Sequence, residues 1–317
     1  MKVLVTGGAG FIGSHTVERL LAQSDTVTVL DEFNDFYDPA IKRANVAAFQ
    51  DDVNVVDGDL RDRATVDRVF AEGKFDTVIH LAARAGVRPS IDDPALYLAT
   101  NINGTFHLLE AAKATGVPRF VFASSSSVYG INKKVPFAET DRIEQTISPY
   151  AMTKMAGEQM CSNYTNLYNI RTVCLRFFTV YGPRQRPDLA ISKFTALIDQ
   201  GKPVPRYGDG STARDYTFIH DIVDGILAAS KYDGDKFDIF NLGGSQTTTL
   251  AGLITAVENA LGKKAIIQDL PLQPGDVPLT YADVSKAKRL LGYNPNTPIQ
   301  EGIPKFVEWY LSRKVKF

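Results

Sequence analysis

At 317 residues, with 44% apolar and 22% charged side chains, the chain suits about two soluble globular domains. Its 35 basic and 36 acidic residues leave a formal charge of −1, which points away from nucleic acid or a membrane surface as the main partner. No run approaches the roughly 18 apolar residues that cross a bilayer, nor does the start carry a signal peptide's apolar region, so a reducing cytoplasm is the expected setting.

The run Lys2–Thr6 leads into Gly7-Gly8-Ala9-Gly10-Phe11-Ile12-Gly13 and then a helical pattern with Val17, Leu20 and Leu21 inward. This reads as strand, glycine turn, helix. Glycines at 7, 10 and 13 let the backbone turn tightly, approach a pyrophosphate and pack helix on strand, with the helix N-terminal amides facing the phosphate charge. Taken alone the pattern is weak, and an ordinary flexible turn is its alternative. The next strand, Thr26–Leu30, ends in Asp31, where a dinucleotide fold places the carboxylate that holds the adenosine ribose hydroxyls. Such a carboxylate favours NAD over NADP, whose 2′-phosphate it repels. A capping role is the alternative for Asp31.

Strand and helix patterns then alternate. Val53–Val56 precedes Asp59-Leu60, a helix follows through Val66–Phe70, and the strand from Thr77 to Leu81 runs into Ala82-Ala83. A longer helix spans Asn101 to Lys113, and Phe120–Ala123 runs into a serine cluster beginning at Ser124. The alternation predicts a parallel sheet covered on both faces. Ligands in such sheets lie at the carboxyl ends of strands, where Asp59, Leu60, Ala82, Ala83, Asn101 and Ser124 fall.

A helix continues past Lys154 to about Tyr168, carrying Cys161, and the strand Arg171–Phe177 carries Cys174. Both thiols lack metal-ligand spacing and are expected to be buried; no metal site is expected. From Thr179 onward Pro183, Pro187, Pro203 and Pro205 predict a loop-rich region that begins a smaller domain. A helix from His220 and the strand Phe237–Leu242 return to the large sheet, and helices follow around Leu250–Leu261, Val284–Leu291 and through Trp309. The expected division is 1–178 with 216–242 for the dinucleotide domain, and 179–215 with 243–317 for the substrate domain.

Tyr150 and Lys154, four apart, share one helix face, and Ser125 stands at a strand end. A tyrosine acting as base at neutral pH needs its pKa lowered by about 3 units, roughly 4 kcal/mol. The Lys154 ammonium is expected to supply much of that, a positive nicotinamide the rest, with Ser125 relaying the substrate proton. An arbitrary Tyr-x-x-x-Lys is more often core and surface. The glycine turn upstream and the serine cluster between favour catalysis here. His80 and His220 fit core positions.

As a whole the chain resembles the extended short-chain dehydrogenase/reductase superfamily, in its branch of nucleotide-sugar epimerases and dehydratases. The resemblance rests on Thr6 to His15, the serines ending Val128-Tyr129-Gly130, Tyr150-x-x-x-Lys154, Tyr181-Gly182-Pro183 and Arg214-Asp215-Tyr216. It implies a Rossmann-type α/β fold, tightly held NAD, a UDP-sugar substrate and a homodimer built on helices around Leu96–Leu109 and Met155–Tyr168. It also implies cofactor contacts at Asn34, Leu81, Phe177 and Val180, and UDP contacts at Ala190, Phe194, Pro205, Tyr207, Arg214 and Asp276.

Relatives that dehydrate sugars carry an Asp-Glu pair where this chain has Ser126 and Ser127, and decarboxylating relatives often carry Glu at the second position. The hydroxyls therefore imply C4 epimerisation. Ala85-Gly86-Val87-Arg88, Thr179 in place of the Asn usual in UDP-glucose 4-epimerases, and Arg186-Pro187-Asp188 look like UDP-glucuronate 4-epimerases. A C5 carboxylate needs donors, which Ser125, Ser126, Thr179 and Arg186 could provide. For Arg186 the alternatives are a solvated loop or a diphosphate contact. Gln273 stands where many relatives place a diphosphate-clamping Arg, shifting that role toward Arg214. UDP-glucose or UDP-N-acetylglucosamine 4-epimerase, a UDP-glucuronate decarboxylase and a non-catalytic NAD-binding protein are the alternatives kept.

Overall fold

The structure, a computed structural model, describes residues 1–271 and 277–314. Its first half alternates β1 (Lys2–Thr6), α1 (Phe11–Ala22), β2 (Thr26–Asp31), α2 (Pro39–Val46), β3 (Asn54–Asp57), α3 (Arg63–Gly73) and β4 (Thr77–His80). Three helices follow, α4 (Val87–Asp92), α5 (Pro94–Tyr97) and α6 (Gly104–Thr115), and then β5 (Arg119–Ser125), α7 (Pro149–Tyr168) and β6 (Arg171–Phe177). The second half comprises β7 (Thr179–Tyr181), α8 (Ala190–Asp199), β8 (Pro203–Tyr207), β9 (Ala213–Phe218), α9 (Ile219–Ser230), β10 (Phe237–Leu242), β11 (Thr247–Thr249), α10 (Leu250–Leu261), β12 (Ile266–Leu270), α11 (Ser285–Leu291) and α12 (Ile299–Lys314).

Seven strands form one sheet in the order β10-β6-β5-β4-β1-β2-β3, and every neighbouring pair is parallel. This is the doubly wound α/β architecture that the alternation predicts. Helices cover both faces, which explains why Val3, Leu4 and Val5 of β1 and Phe120–Ala123 of β5 are buried without alternation. From β1 the chain winds outward through β2 and β3 and then returns to β4 on the other side. That reversal opens a crevice at the carboxyl ends of β1 and β4.

The region after Thr179 is more regular than its prolines suggest. It holds a three-stranded sheet, β11-β9-β7, and a two-stranded one, β12-β8. Pro203 and Pro205 lie inside β8 opposite Ile266 and Gln268. A two-stranded sheet is all edge, so a proline whose missing N–H faces away from the partner costs no ladder bond. A second difference lies at 98–103, where the expected helix opens in a π-helical turn before α6. Among the described residues no helix is long and apolar enough to cross a membrane. Cys161 and Cys174 are buried and free, and the expected positions Gln273 and Asp276 lie outside the described residues.

Candidate active site

The glycine turn follows β1 directly. Gly7 adopts φ +71°, and a Cβ at Gly13 would stand 2.1 Å from the Gly7 carbonyl oxygen, so α1 starts against the turn only without a side chain there. No side chain caps α1. Its first amides thus keep the unfilled donors that suit a phosphate, and Phe11 and Ile12 face a cavity of about 500 Å³. Gly7, Gly10 and Gly13 line the same cavity, as do Asp31, Asn34, Asp59, Leu60, Leu81, Ala82, Ala83, Ser124, Phe177 and Val180. Apart from Val180 of β7, these residues lie at or after the carboxyl ends of β1 to β6, and together they form one continuous groove suited to an extended dinucleotide.

Asp31 is buried and has three partners besides the groove. Its carboxylate accepts from the amides of Phe33 at 3.0 Å and Ala9 at 3.2 Å, and Lys42 Nζ donates to it at 3.1 Å. The capping role weighed for Asp31 is thus present, and an ionised carboxylate, with about four acceptor sites, keeps capacity for ribose hydroxyls beside it. Lys42 went unnoticed in the sequence. Its signal was faint: Asp38 caps α2 ahead of Pro39, and Lys42 lies on the buried helix face with Asn45 and Val46.

α7 sets the reactive side chains. Ser148 accepts from the Ala151 amide at 3.1 Å and Pro149 takes the first helical position, so Tyr150 sits at the very start of the helix. Gly157 lets the helix approach β5, for a Cβ there would stand 2.2 Å from Phe122. Lys154 then lies over the end of β5 and donates to the Ala123 carbonyl at 2.7 Å. Tyr150 faces the Ser125 hydroxyl, which also accepts from the Ser127 amide at 3.2 Å and the Ser127 hydroxyl at 2.9 Å. The ring of Tyr97 meets Tyr150 edge-on at 6.3 Å.

The electrostatics differ from expectation. Burial pushes the Tyr150 phenol above its ordinary value, while the Ser125 hydroxyl and the Arg186 charge pull it down. Arg186 thus joins Lys154 as a cation near the phenol. Burial lowers Lys154 itself to about 8, with Glu158 opposing, and its ammonium is turned to the Ala123 carbonyl, 5.9 Å from the Tyr150 ring centre. Arg186 binds Asp188 through two bonds of 2.9 and 2.7 Å. Burial works against its charge, but Asp188 holds its pKa above the usual arginine value. His80 is a core residue between the Thr6 hydroxyl at 2.7 Å and the Thr105 hydroxyl at 2.9 Å, kept down to about 3 by burial and then by Lys154.

Of the expected substrate residues, Ser125, Thr179, Arg186, Ala190 and Arg214 line the cavity. Arg88 lies instead over the Tyr207 ring, 5.4 Å from its centre, and both stand outside the wall with Ser126. Phe194 is turned into the apolar core beneath α8, where its ring gains more by burial than at a solvated rim. Pro205 is likewise buried on β8. Asn101 does not reach the groove. Its amide accepts from the Arg84 N–H at 2.8 Å and donates to the Arg84 carbonyl at 2.9 Å and the Thr153 hydroxyl at 3.0 Å. The π turn aims it there, away from the wall. Lining residues not foreseen include Glu32, Tyr37, Arg84, Gln185 and Tyr216.

Comparison with known proteins agrees with this geometry. A family model described as GDP-mannose 4,6 dehydratase matches residues 4–306. UDP-glucuronate 4-epimerase 3 of Arabidopsis thaliana is 44% identical over 329 residues, which cover 98% of this chain and 76% of that protein. Among solved structures, UDP-glucuronic acid 4-epimerase from Bacillus cereus, in complex with UDP-glucuronic acid and NAD, is 34% identical with a TM-score of 0.93, covering 99% of this chain and 100% of that one. UDP-glucose 4-epimerase from Thermotoga maritima, with UDP-glucose, is 33% identical with a TM-score of 0.92 over 100% of both chains. The chain belongs to the GDP-mannose 4,6 dehydratase family of short-chain dehydrogenase/reductases.

Proposed function

We propose that the protein is an NAD-dependent UDP-glucuronate 4-epimerase, interconverting UDP-glucuronate and UDP-galacturonate through a 4-keto intermediate. The observation that carries the substrate is Arg186. Its guanidinium acts on Tyr150 across the cavity that Thr179 and Ser125 also line, which puts a permanent cation and two hydroxyls where a C5 carboxylate would meet them. Positions 126 and 127 carry hydroxyls, so the acid pair for elimination is absent.

In this reading Tyr150, as phenolate, takes the C4 hydroxyl proton while Ser125 holds the same oxygen. Bound in the groove, NAD would supply the hydride exchange at C4, and its positive ring would favour the phenolate. The glycine turn and the α1 amides hold the dinucleotide diphosphate, with Asp31 and Lys42 at the ribose. Arg214 grips the diphosphate of UDP. The hexose must be held loosely enough to turn over. The oxidised uronate is a β-keto acid prone to lose CO₂, and Thr179, Ser125 and Arg186 suppress that loss by keeping the carboxylate out of alignment with the new carbonyl.

A second reading, UDP-glucose 4-epimerase, draws support from Asp188. Paired with it, Arg186 presents little net charge, and a neutral C6 is tolerated. Incubation with UDP-glucuronate, UDP-glucose and UDP-N-acetylglucosamine, read by NMR, separates these. Epimer from UDP-glucose alone would transfer the assignment to the neutral sugar, and a UDP-pentose would make the enzyme a decarboxylase.

We also read the chain as a cytoplasmic homodimer. α6 and α7 pack together and leave Phe106, Met152 and Leu167 exposed along them, Leu167 at 70%, with Leu98 exposed on the π turn before α6, a surface that a second copy would bury. Sedimentation equilibrium at micromolar concentration tests it, and a monomer there would refute it.

A further inference from the structure

Four charged side chains alternate in sign along the rim of the groove. Arg84 Nη2 stands 3.4 Å from Glu32 Oε1, Arg61 Nη2 stands 3.6 Å from Glu32 Oε2, and Arg61 also binds Asp59 at 2.5 Å. They leave different strands: Glu32 follows β2, Asp59 and Arg61 follow β3, and Arg84 follows β4 by way of Leu81-Ala82-Ala83. In the sheet β1 lies between β2 and β4. The Glu32–Arg84 pair therefore reaches from one flank of the groove to the other across the end of β1, the place of the glycine turn.

Both partners line the cavity and neither is free to drift. Asn101 grips the Arg84 backbone at both its N–H and its carbonyl, and the Asn34 amide donates to Glu32 Oε1. The Arg84 side chain is 11% exposed and that of Glu32 21%, so water screens the pair less than it screens a surface one. Arg84 Nε is buried and has no protein partner, which leaves one donor of the guanidinium unspent on the buried side.

We infer that Arg84 and Glu32 form a clasp over the dinucleotide, closing the groove above the glycine turn and holding NAD through the reaction cycle. Arg84 offers its unspent Nε–H to an anionic or hydroxyl oxygen of the cofactor while its terminal nitrogen stays with Glu32. Retention matters to this chemistry, because hydride removed from C4 must return from the same nicotinamide. The inference rests on the NAD-dependent reading. It adds two residues that serve the cofactor and touch neither sugar nor proton.

The test uses purified holoenzyme: wild type, Glu32→Gln, Arg84→Gln and the double variant. NAD per chain after gel filtration is read by acid release, its dissociation rate by dilution at low salt and about 0.5 M salt, and the thermal midpoint with and without added NAD. Each single change should speed NAD loss about tenfold, equal to about 1.4 kcal/mol. The double variant should be no worse than the poorer single, the signature of a coupled pair, and salt should speed release from wild type more than from the variants. Midpoints without NAD should agree, so that misfolding does not imitate the effect. Variants that hold NAD as well as a wild type that holds it would overturn the clasp alone, and additive effects would overturn the pairing. A wild type that takes up no NAD would overturn both this inference and the reading beneath it.

Discussion

Lys154 and Glu158 stand one turn apart on the same face of α7 and divide the end of β5 between them. The Lys154 ammonium donates to the Ala123 carbonyl at 2.7 Å, and the Ser124 hydroxyl donates to Glu158 Oε1 at 2.5 Å. Below them Arg176 of β6 binds Glu158 through bonds of 2.9 and 2.7 Å. Helix, catalytic strand and neighbouring strand are thus locked by charge at the point where the chemistry occurs.

Lys154 should limit both activity and stability with pH. Its folded pKa of about 8 lies below the ordinary 10.5, so between these values the unfolded chain holds more protons and stability rises with pH. At pH 7 the buried charge then costs about 3 kcal/mol, offset in a Lys154→Met variant by about 1 kcal/mol for the lost bond to Ala123. That variant should be inactive yet more stable than wild type at pH 7, the gain fading between about pH 8 and pH 10.5. Denaturant unfolding across pH checks this; a large loss of stability at pH 7 would contradict it. Wild-type turnover should fall above about pH 8 as the ammonium deprotonates.

Removing one partner of the Glu158–Arg176 pair should be worse than removing both. Arg176→Met leaves a carboxylate buried with only Ser124 and the Lys154 charge to offset it, which costs about 3–5 kcal/mol. The double change Glu158→Gln, Arg176→Met should recover much of that in urea midpoint. If the double variant is as unstable as the single, packing rather than charge governs the site.

Tyr150→Phe should cut turnover by about 10³-fold or more while NAD and UDP-glucuronate still bind. Calorimetry and single-turnover absorbance at the reduced nicotinamide band read the two separately. Full activity in this variant would remove Tyr150 from the mechanism.

Arg186→Ala should weaken UDP-glucuronate by about 10- to 100-fold, the worth of a charged hydrogen bond, and UDP-glucose much less. Asp188→Asn, which frees the guanidinium, should strengthen UDP-glucuronate and lower the apparent pKa of the catalytic phenol. Steady-state KM values and kcat pH profiles for both sugars measure this. Equal losses for the two sugars in Arg186→Ala would remove the reason for preferring the uronate.

Much of the site was legible before folding because its parts are local. The strand, glycine turn and helix from Lys2 to Leu21, the strand ending at Asp31, and Tyr150 with Lys154 on one helix face each declare themselves by spacing within a few residues. The alternation of elements likewise determined the parallel sheet, since only two-sided burial calls for continuous apolar strands. What folding alone decided are partnerships between distant segments. Lys42 reaches Asp31, Asn101 of the π turn grips Arg84, Arg84 crosses β1 to Glu32, and Arg186 comes to face Tyr150. None of these carries a spacing, because the order β4-β1-β2, set by the winding of the chain, brings the loops together. The same packing carried Phe194 into the core, where the gain from burying an aromatic ring outweighs any use at the rim.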